Sequence, residues 1–152
     1  MTAAYADREA IRELSARYNL AADTRDLQAY ADCFVADGAF EMVGLTRLQG
    51  HDALKAMISA LDFPTLHVSN DALIDTDADG AVQTCALTIF AREPDSNNMV
   101  VLTTGRYSDR LVKTESGWRF VERIAKTDND LGAAISQFSP AFAALMDGAA
   151  TG

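Results

Sequence analysis

The chain has 152 residues, 49% of them hydrophobic and 23% charged, which is the composition of an ordinary globular domain with a substantial core. Its 13 Lys and Arg residues stand against 22 Asp and Glu residues, a formal net charge of -9, so a nucleic-acid partner is not expected. No apolar run approaches the roughly 20 residues of a membrane span, and the N-terminus lacks the pattern of a signal peptide. We therefore expect one cytoplasmic domain over residues 1–152 that contacts no membrane.

The first part of the chain is predicted to be mainly helical. Ile11, Leu14 and Tyr18 recur at spacings of three and four, which indicates an amphipathic helix. N-cap residues precede a second, shorter helix, and Asp37-Gly38 is a turn dipeptide that introduces a strand. The predicted elements are a helix over 7–22, a helix over 27–34, a strand over 39–45 and a helix over 50–61.

The second part is rich in Val, Ile, Thr, Phe and Tyr and is predicted to form strands joined by short turns. These strands cover 65–76, 81–93, 99–113 and 118–127, and a last helix opens at Ser139-Pro140. The order predicts an α+β fold in which helices cover one face of a curved, mostly antiparallel sheet and leave an apolar cavity. Both faces of the last strand carry apolar residues, so we expect another subunit to bury the outer face.

Two residues of the strands have the chemistry of a functional site. His67 lies inside a predicted strand, where a partly buried imidazole needs a polar partner; it is either a base or a hydrogen-bonded core histidine. Arg123 stands in an apolar strand, where a guanidinium needs a carboxylate or a ligand. An ion pair with Glu122 or with an acid on the adjacent strand is the alternative to substrate contact.

Two residues of the first helix are weighed in the same way. Asp23 lies near the end of this helix, away from its apolar stripe, and is either a functional carboxylate or a cap for the next helix. Tyr18 lies on the stripe, where a tyrosine is usually a core residue whose hydroxyl still needs a polar neighbour.

Motifs of other site classes are absent from the sequence. There is no glycine-rich phosphate loop, GxSxG or HExxH. Cys33 and Cys85 are far apart and lack companion histidines, which argues against a disulfide framework and a zinc site. We expect reduced, buried thiols and no metal or other cofactor.

Several segments together resemble one family. They are 18–23, 30–40, the helix opening at Gly50, Leu66-His67-Val68 and Gly117-Trp118-Arg119-Phe120. Over nearly the whole chain they are similar to the SnoaL-like branch of the nuclear-transport-factor-2-like superfamily. Within it, the chain looks closest to lyases of the scytalone dehydratase, bile-acid 7-alpha-dehydratase and hexachlorocyclohexane dehydrochlorinase type.

The resemblance implies a fold, a mechanism and an assembly. The fold would be a cone-shaped α+β barrel. The enzyme would need no cofactor and would typically form a homotrimer. His67 would be the general base, Asp23 its orienting partner, and Arg123 and Tyr18 the further catalytic residues. Scytalone dehydratase has a second active-site histidine that this chain does not match.

The function expected from these residues is a lyase that eliminates water, halide or formaldehyde from a small cyclic or aromatic substrate, as in the catabolism of aromatic compounds. Side chains expected to line its apolar pocket are Phe34, Met42, Phe63 and Phe90. Two alternatives stay open. One is a cofactor-free isomerase or cyclase of polyketide- or steroid-like substrates, and the other is a non-catalytic ligand-binding or dioxygenase-β-like subunit.

Overall fold

The computed structural model describes residues 3–150. Within that range the helices are α1 (Ala3–Thr24), α2 (Leu27–Asp32), α3 (His51–Ala60), α4 (Leu131–Ser136) and α5 (Pro140–Ala150). The strands are β1 (Phe34–Met42), β2 (Thr46–Gln49), β3 (Thr65–Thr76), β4 (Ala81–Arg92), β5 (Met99–Thr114) and β6 (Gly117–Thr127).

The strands form one curved sheet in the order β2-β1-β6-β5-β4-β3. The meander of β3 to β6 is antiparallel throughout, and β1 adds to it by pairing with β6 in parallel. The inner face of the sheet wraps around the helices and encloses the hydrophobic core. The predicted fold class, a cone-shaped α+β barrel with a mostly antiparallel sheet, is confirmed.

The long elements form where their sequence patterns place them. Ile11, Leu14 and Tyr18 of α1 are all buried, because residues at this spacing share one face of a helix. The side chain of Asp26 accepts a hydrogen bond from the backbone of Ala29 and caps α2. Helix α1 packs mainly against β3, which brings the end of the first helix next to the strand that carries His67.

The structure corrects the prediction in the short elements. Strand β1 begins at Phe34 and not at residue 39, because Asp37-Gly38 lies within an irregularity of the β1–β6 pairing instead of a turn. A Cβ at position 38 would lie only 2.8 Å from that of Phe34, so glycine is needed there. Strand β2 and helix α4 were not predicted, since four and six residues are too short for a clear period.

The outer face of the sheet carries exposed apolar side chains. Leu66 and Val68 of β3, Val82 of β4 and Val101 of β5 are all exposed. The expected burial of this face by another subunit stays a prediction. None of the helices described here is long and apolar enough to span a membrane.

Candidate active site

A cavity of about 70 Å³ lies between the inner face of the sheet and the helices. Its walls are mostly aliphatic and aromatic, and α4 and α5 cover it with Leu131, Ile135 and Phe142. The polar groups at its surface come from Thr65, His67, Thr127 and three tyrosines, Tyr18, Tyr30 and Tyr107. A small apolar site with few polar groups is typical of a ligand pocket.

Asp23 and His67 form a hydrogen-bonded pair at the edge of this cavity. The Asp23 Oδ1 atom lies 2.6 Å from His67 Nδ1. The backbone N–H of His67 donates to Asp23 Oδ2 at 2.9 Å, and the Thr65 hydroxyl donates to Oδ1 at 3.1 Å. Thr65 and His67 share a face of β3 because side chains alternate along a strand. One strand thus supplies all three groups that hold the Asp23 carboxylate. Asp23 is not the cap of α2, because Asp26 has that role.

The pairing defines the state of the imidazole. A carboxylate accepts a hydrogen bond, so it favours the tautomer in which Nδ1 of His67 carries the proton. The other nitrogen, Nε2, then has a free lone pair and makes no hydrogen bond with any residue in the range 3–150. The side chains of His67 and Asp23 are only 12% and 15% exposed. The arrangement can accept a proton from a molecule in the cavity and stabilise the resulting imidazolium.

Three buried tyrosines form a second polar cluster in the cavity wall. The hydroxyl oxygens of Tyr18 and Tyr30 are hydrogen-bonded at 3.0 Å, and the ring of Tyr107 packs edge-on against Tyr18 with centroids 5.9 Å apart. Burial raises the pKa of all three phenols, and the charge of Arg123 only partly opposes this. The phenols therefore stay protonated. Tyr30 donates to Tyr18, and the Tyr18 hydroxyl can in turn donate a hydrogen bond to a developing oxyanion.

Arg123 lies behind these tyrosines and does not line the cavity. Its Nε and Nη2 atoms donate to the two carboxylate oxygens of Asp109 at 2.8 and 2.9 Å, and both side chains are fully buried. Burial lowers the pKa of the Arg123 guanidinium, but Asp109 outweighs it and the net pKa is raised. The sequence left two roles open for Arg123, an ion pair and contact with a substrate. The structure shows an ion pair with an acid on the adjacent strand, and Arg123 does not reach the cavity. Glu122 pairs with Arg47 instead.

The match to a known family covers most of the chain. Residues 3–124 match the SnoaL-like domain. The chain belongs to this family. No protein of curated function matches the sequence.

Solved structures agree with the fold of this SnoaL-like domain. A D26N variant of Rv3472, a protein of unknown function from Mycobacterium tuberculosis, is 28% identical with a TM-score of 0.77, covering 97% of this chain and 88% of its own. An NTF2-like protein with a cystatin-like fold from Novosphingobium aromaticivorans is 27% identical, also with a TM-score of 0.77. The match covers 89% of this chain and 90% of that protein. The β subunit of an aromatic-ring-hydroxylating dioxygenase from the same species is similar in structure, with 19% identity and a TM-score of 0.75. The match covers 85% of this chain and 94% of that subunit. At that identity the likeness shows the fold alone.

The expected lining residues divide into two pairs. Met42 and Phe63 line the cavity of the SnoaL-like domain. Phe34 does not, because its ring packs against Tyr18, Tyr30 and Phe120 in the core behind it. Phe90 does not either: it pairs with Leu66 on the outer face, whereas the neighbouring Ile89 points inward and lines the cavity. The expectations for Phe34 and Phe90 are therefore wrong.

Several residues of the site were not found from the sequence. Thr65 lies two positions before His67, and that spacing on a strand was a usable signal. Tyr30 lies on the apolar stripe of α2, where a core position was the simpler interpretation. Tyr107 and Asp109 are identified only by the register that sets them opposite Ala125 and Arg123. Within the described residues, no three His, Cys, Asp or Glu side chains are grouped to hold a metal ion.

Proposed function

We propose that this SnoaL-like domain is a cofactor-independent lyase in which His67 removes a proton from a small cyclic or aromatic substrate. The observation that carries the proposal is the 2.6 Å contact between Asp23 and His67, with the imidazole at the wall of an apolar cavity. A base paired with a carboxylate serves catalysis best where water is scarce and the partner is already oriented.

The proposed reaction is a proton-assisted elimination. For loss of hydroxide or halide, Nε2 of His67 takes a proton from the carbon next to the one that bears the leaving group, and the C–H electron pair forms a double bond as the leaving group departs with its own pair. For loss of formaldehyde, Nε2 takes the proton of a hydroxymethyl group, and the O–H electron pair forms the C=O bond of formaldehyde as the C–C bond breaks. The substrate carbon keeps the electrons of that bond and takes the proton back from the imidazolium. Where the proton is next to a carbonyl, negative charge develops on oxygen, and the hydroxyl of Tyr18 supplies a hydrogen bond to it. With hydroxide as leaving group, the imidazolium returns the proton and water is released.

The cavity limits the substrate. Its volume of about 70 Å³ is roughly half of the 150 Å³ that holds benzene in an engineered protein cavity. A substrate with one ring therefore needs the covering helices α4 and α5 to move outward. The walls favour apolar surface, and the two polar clusters favour a molecule with one acidic hydrogen and one oxygen acceptor.

The decisive experiment is turnover of a panel of cyclic and aromatic alcohols, halides and hydroxymethyl compounds, followed by mass spectrometry of the product. We expect His67→Ala to lose on the order of 100-fold or more in kcat, since a positioned general base contributes about 10² to 10⁴. The matched control is His51→Gln, because within residues 3–150 the His51 side chain hydrogen-bonds to the carbonyl of Phe34 alone and glutamine can still donate there. Equal losses in both variants would contradict the assignment of His67.

The same panel distinguishes the alternatives. An isomerase or cyclase produces no loss of mass from the substrate, whereas elimination releases a separate small product. A chain that binds panel compounds but turns none of them over would be a binding module of the same fold. Either outcome would replace the lyase proposal.

A further inference from the structure

Arg123 and Asp109 form a charged pair behind the cavity wall. Their role can be tested by titration without a substrate, and only the kinetic test below rests on the proposed function. We infer that Arg123 and Asp109 are positioning residues: the buried pair fixes the phenol rings of Tyr18 and Tyr107 and keeps positive charge behind their hydroxyls, without touching the substrate.

The first support is the stacking of the guanidinium on the aromatic rings. The Cζ atom of Arg123 lies 3.9 Å from the ring centroid of Tyr107, 4.2 Å from that of Phe120 and 4.4 Å from that of Tyr18. A cation within about 6 Å of a ring face is attracted to it, more strongly where water is absent. Two of these three rings line the cavity, so a shift of Arg123 displaces the groups that would meet an oxyanion.

The second support is the network that holds the pair in place. Gln83 Nε2 donates to Asp109 Oδ2 at 2.7 Å and to Ser15 Oγ at 3.0 Å, and Arg123 Nη2 contacts the same hydroxyl at 3.4 Å. A carboxylate only accepts hydrogen bonds, so the amide of Gln83 has one orientation. The four residues come from α1, β4, β5 and β6, which fixes the pair relative to the whole inner wall.

The third support is the electrostatic balance at the tyrosines. The Arg123 charge acts against burial and lowers the pKa of the phenols, which makes each hydroxyl a stronger hydrogen-bond donor. Asp109 limits this effect by neutralising part of the charge. The titratable and charged groups that act on Tyr18 are Tyr30, Arg123 and Tyr107. Those that act on Tyr107 are Tyr18, Arg123 and Asp109. Removing the Asp109 carboxylate alone should therefore lower the pKa of the phenols, whereas removing both Asp109 and Arg123 should raise it.

The first test needs no substrate. In Asp109→Asn the Arg123 charge is no longer balanced, so we expect the alkaline titration of tyrosinate absorbance to show at least one buried tyrosine ionising at lower pH than in the parent. A folded variant whose buried tyrosines titrate as in the parent would overturn the inference.

The second test uses the double variant Asp109→Leu/Arg123→Met, which replaces the pair by apolar groups, a change that buried ion pairs often tolerate. We expect kcat to fall by about 10-fold or more, because small misplacements of catalytic groups are costly, with KM changed by less than about 3-fold. A rise in KM with kcat unchanged would mean substrate contact by Arg123 and overturn the inference. Should Asp109→Asn not fold, the kcat and KM of the double variant decide instead. If His67→Ala keeps full activity the lyase proposal fails, yet the tyrosinate titration of Asp109→Asn still decides the role of the pair.

Discussion

At the scale of residues, the cavity wall holds an imidazole and three phenols in different surroundings. The imidazole of His67 is hydrogen-bonded through Nδ1 to the carboxylate of Asp23, which orients the ring and leaves Nε2 free. The tyrosines are buried together, which favours their neutral form. In the proposed mechanism His67 therefore accepts the proton while the phenols donate hydrogen bonds, and no residue has to do both.

The orienting role of Asp23 leads to a direct prediction. In Asp23→Asn the amide can present a donor to His67 Nδ1 and favour the wrong tautomer, an effect worth about 10⁴ in the serine-protease triad. We expect a loss of kcat approaching that size with an unchanged circular dichroism spectrum. Asp26→Asn is the control, since asparagine also caps a helix. Activity of Asp23→Asn within a few-fold of the parent would show that the carboxylate is not required.

A second prediction concerns alkaline stability. Burial raises the pKa of Cys33 and of Cys85 to about 11, from an ordinary value of 9.0. Between these values the unfolded chain has released protons that the folded chain retains, so the free energy of unfolding falls as pH rises through this window. Urea melts at increasing pH should show this decline, and the double variant Cys33→Ala/Cys85→Ala should show a shallower one. A slope that is unchanged in the double variant would assign the decline to the tyrosines alone.

At the scale of elements, the short C-terminal helices determine access to the cavity. Helix α5 contributes Phe142, whose ring lies edge-on to Phe63 with centroids 6.2 Å apart, and Phe138 stacks on the same ring at 5.4 Å. Both α4 and α5 touch the cavity or its lining, and neither belongs to the sheet. We expect an outward movement of these helices to enlarge the cavity and to leave the Asp23–His67 pair in place, because the hydrogen bonds of that pair come from α1 and β3.

This arrangement predicts different effects for two residues of α5. Phe142→Ala removes a lining side chain and should weaken binding of a panel compound by about 10-fold or more, because the cavity loses packing contacts and admits water. Leu145→Ala is the matched control, since Leu145 is 48% exposed. Calorimetric titration measures both.

Truncation after Gln137 extends the test to the whole helix. We expect weakened binding or altered assembly, and a truncated chain with full activity and the parental oligomeric state would show that α5 has neither role.

At the scale of the whole molecule, the outer face of the sheet is the main unpartnered apolar surface of the described residues. Leu66 and Val101 on this face are 48% and 55% exposed, and Phe90 lies between them in the strand register. Exposed apolar clusters of this kind mark interaction surfaces. We propose that copies of the chain cover it in a homotrimer, as the family resemblance implies.

Light scattering tests the assembly. The trimer should have three times the chain mass of 16.4 kDa, and Leu66→Lys/Val101→Lys should dissociate it because charges are costly to bury at an interface. Leu20→Lys is the control, since Leu20 is 63% exposed but lies on helix α1 and not on the sheet. A parent chain that scatters as a monomer would contradict the proposal.

The extended elements were readable from the sequence because their patterns are local. The stripe on α1 and the long strands β3 to β6 each carry enough periods to be recognised. The roles of Asp23 and His67 came from the family resemblance, since periodicity alone left a cap and a core histidine as alternatives. The apolar pocket followed from the order of helices and strands.

Only the tertiary structure decided which residues face one another across strands. The partner of Arg123 is Asp109, fourteen positions earlier, and that pairing depends on the β5–β6 register. The outward direction of Phe90 and the core position of Phe34 depend on how β4 and β1 pair with their neighbours. A shift of one residue reverses the face of every side chain on a strand, so composition and spacing identify the strands, whereas their mutual register assigns each side chain to the cavity, the core or the outer surface.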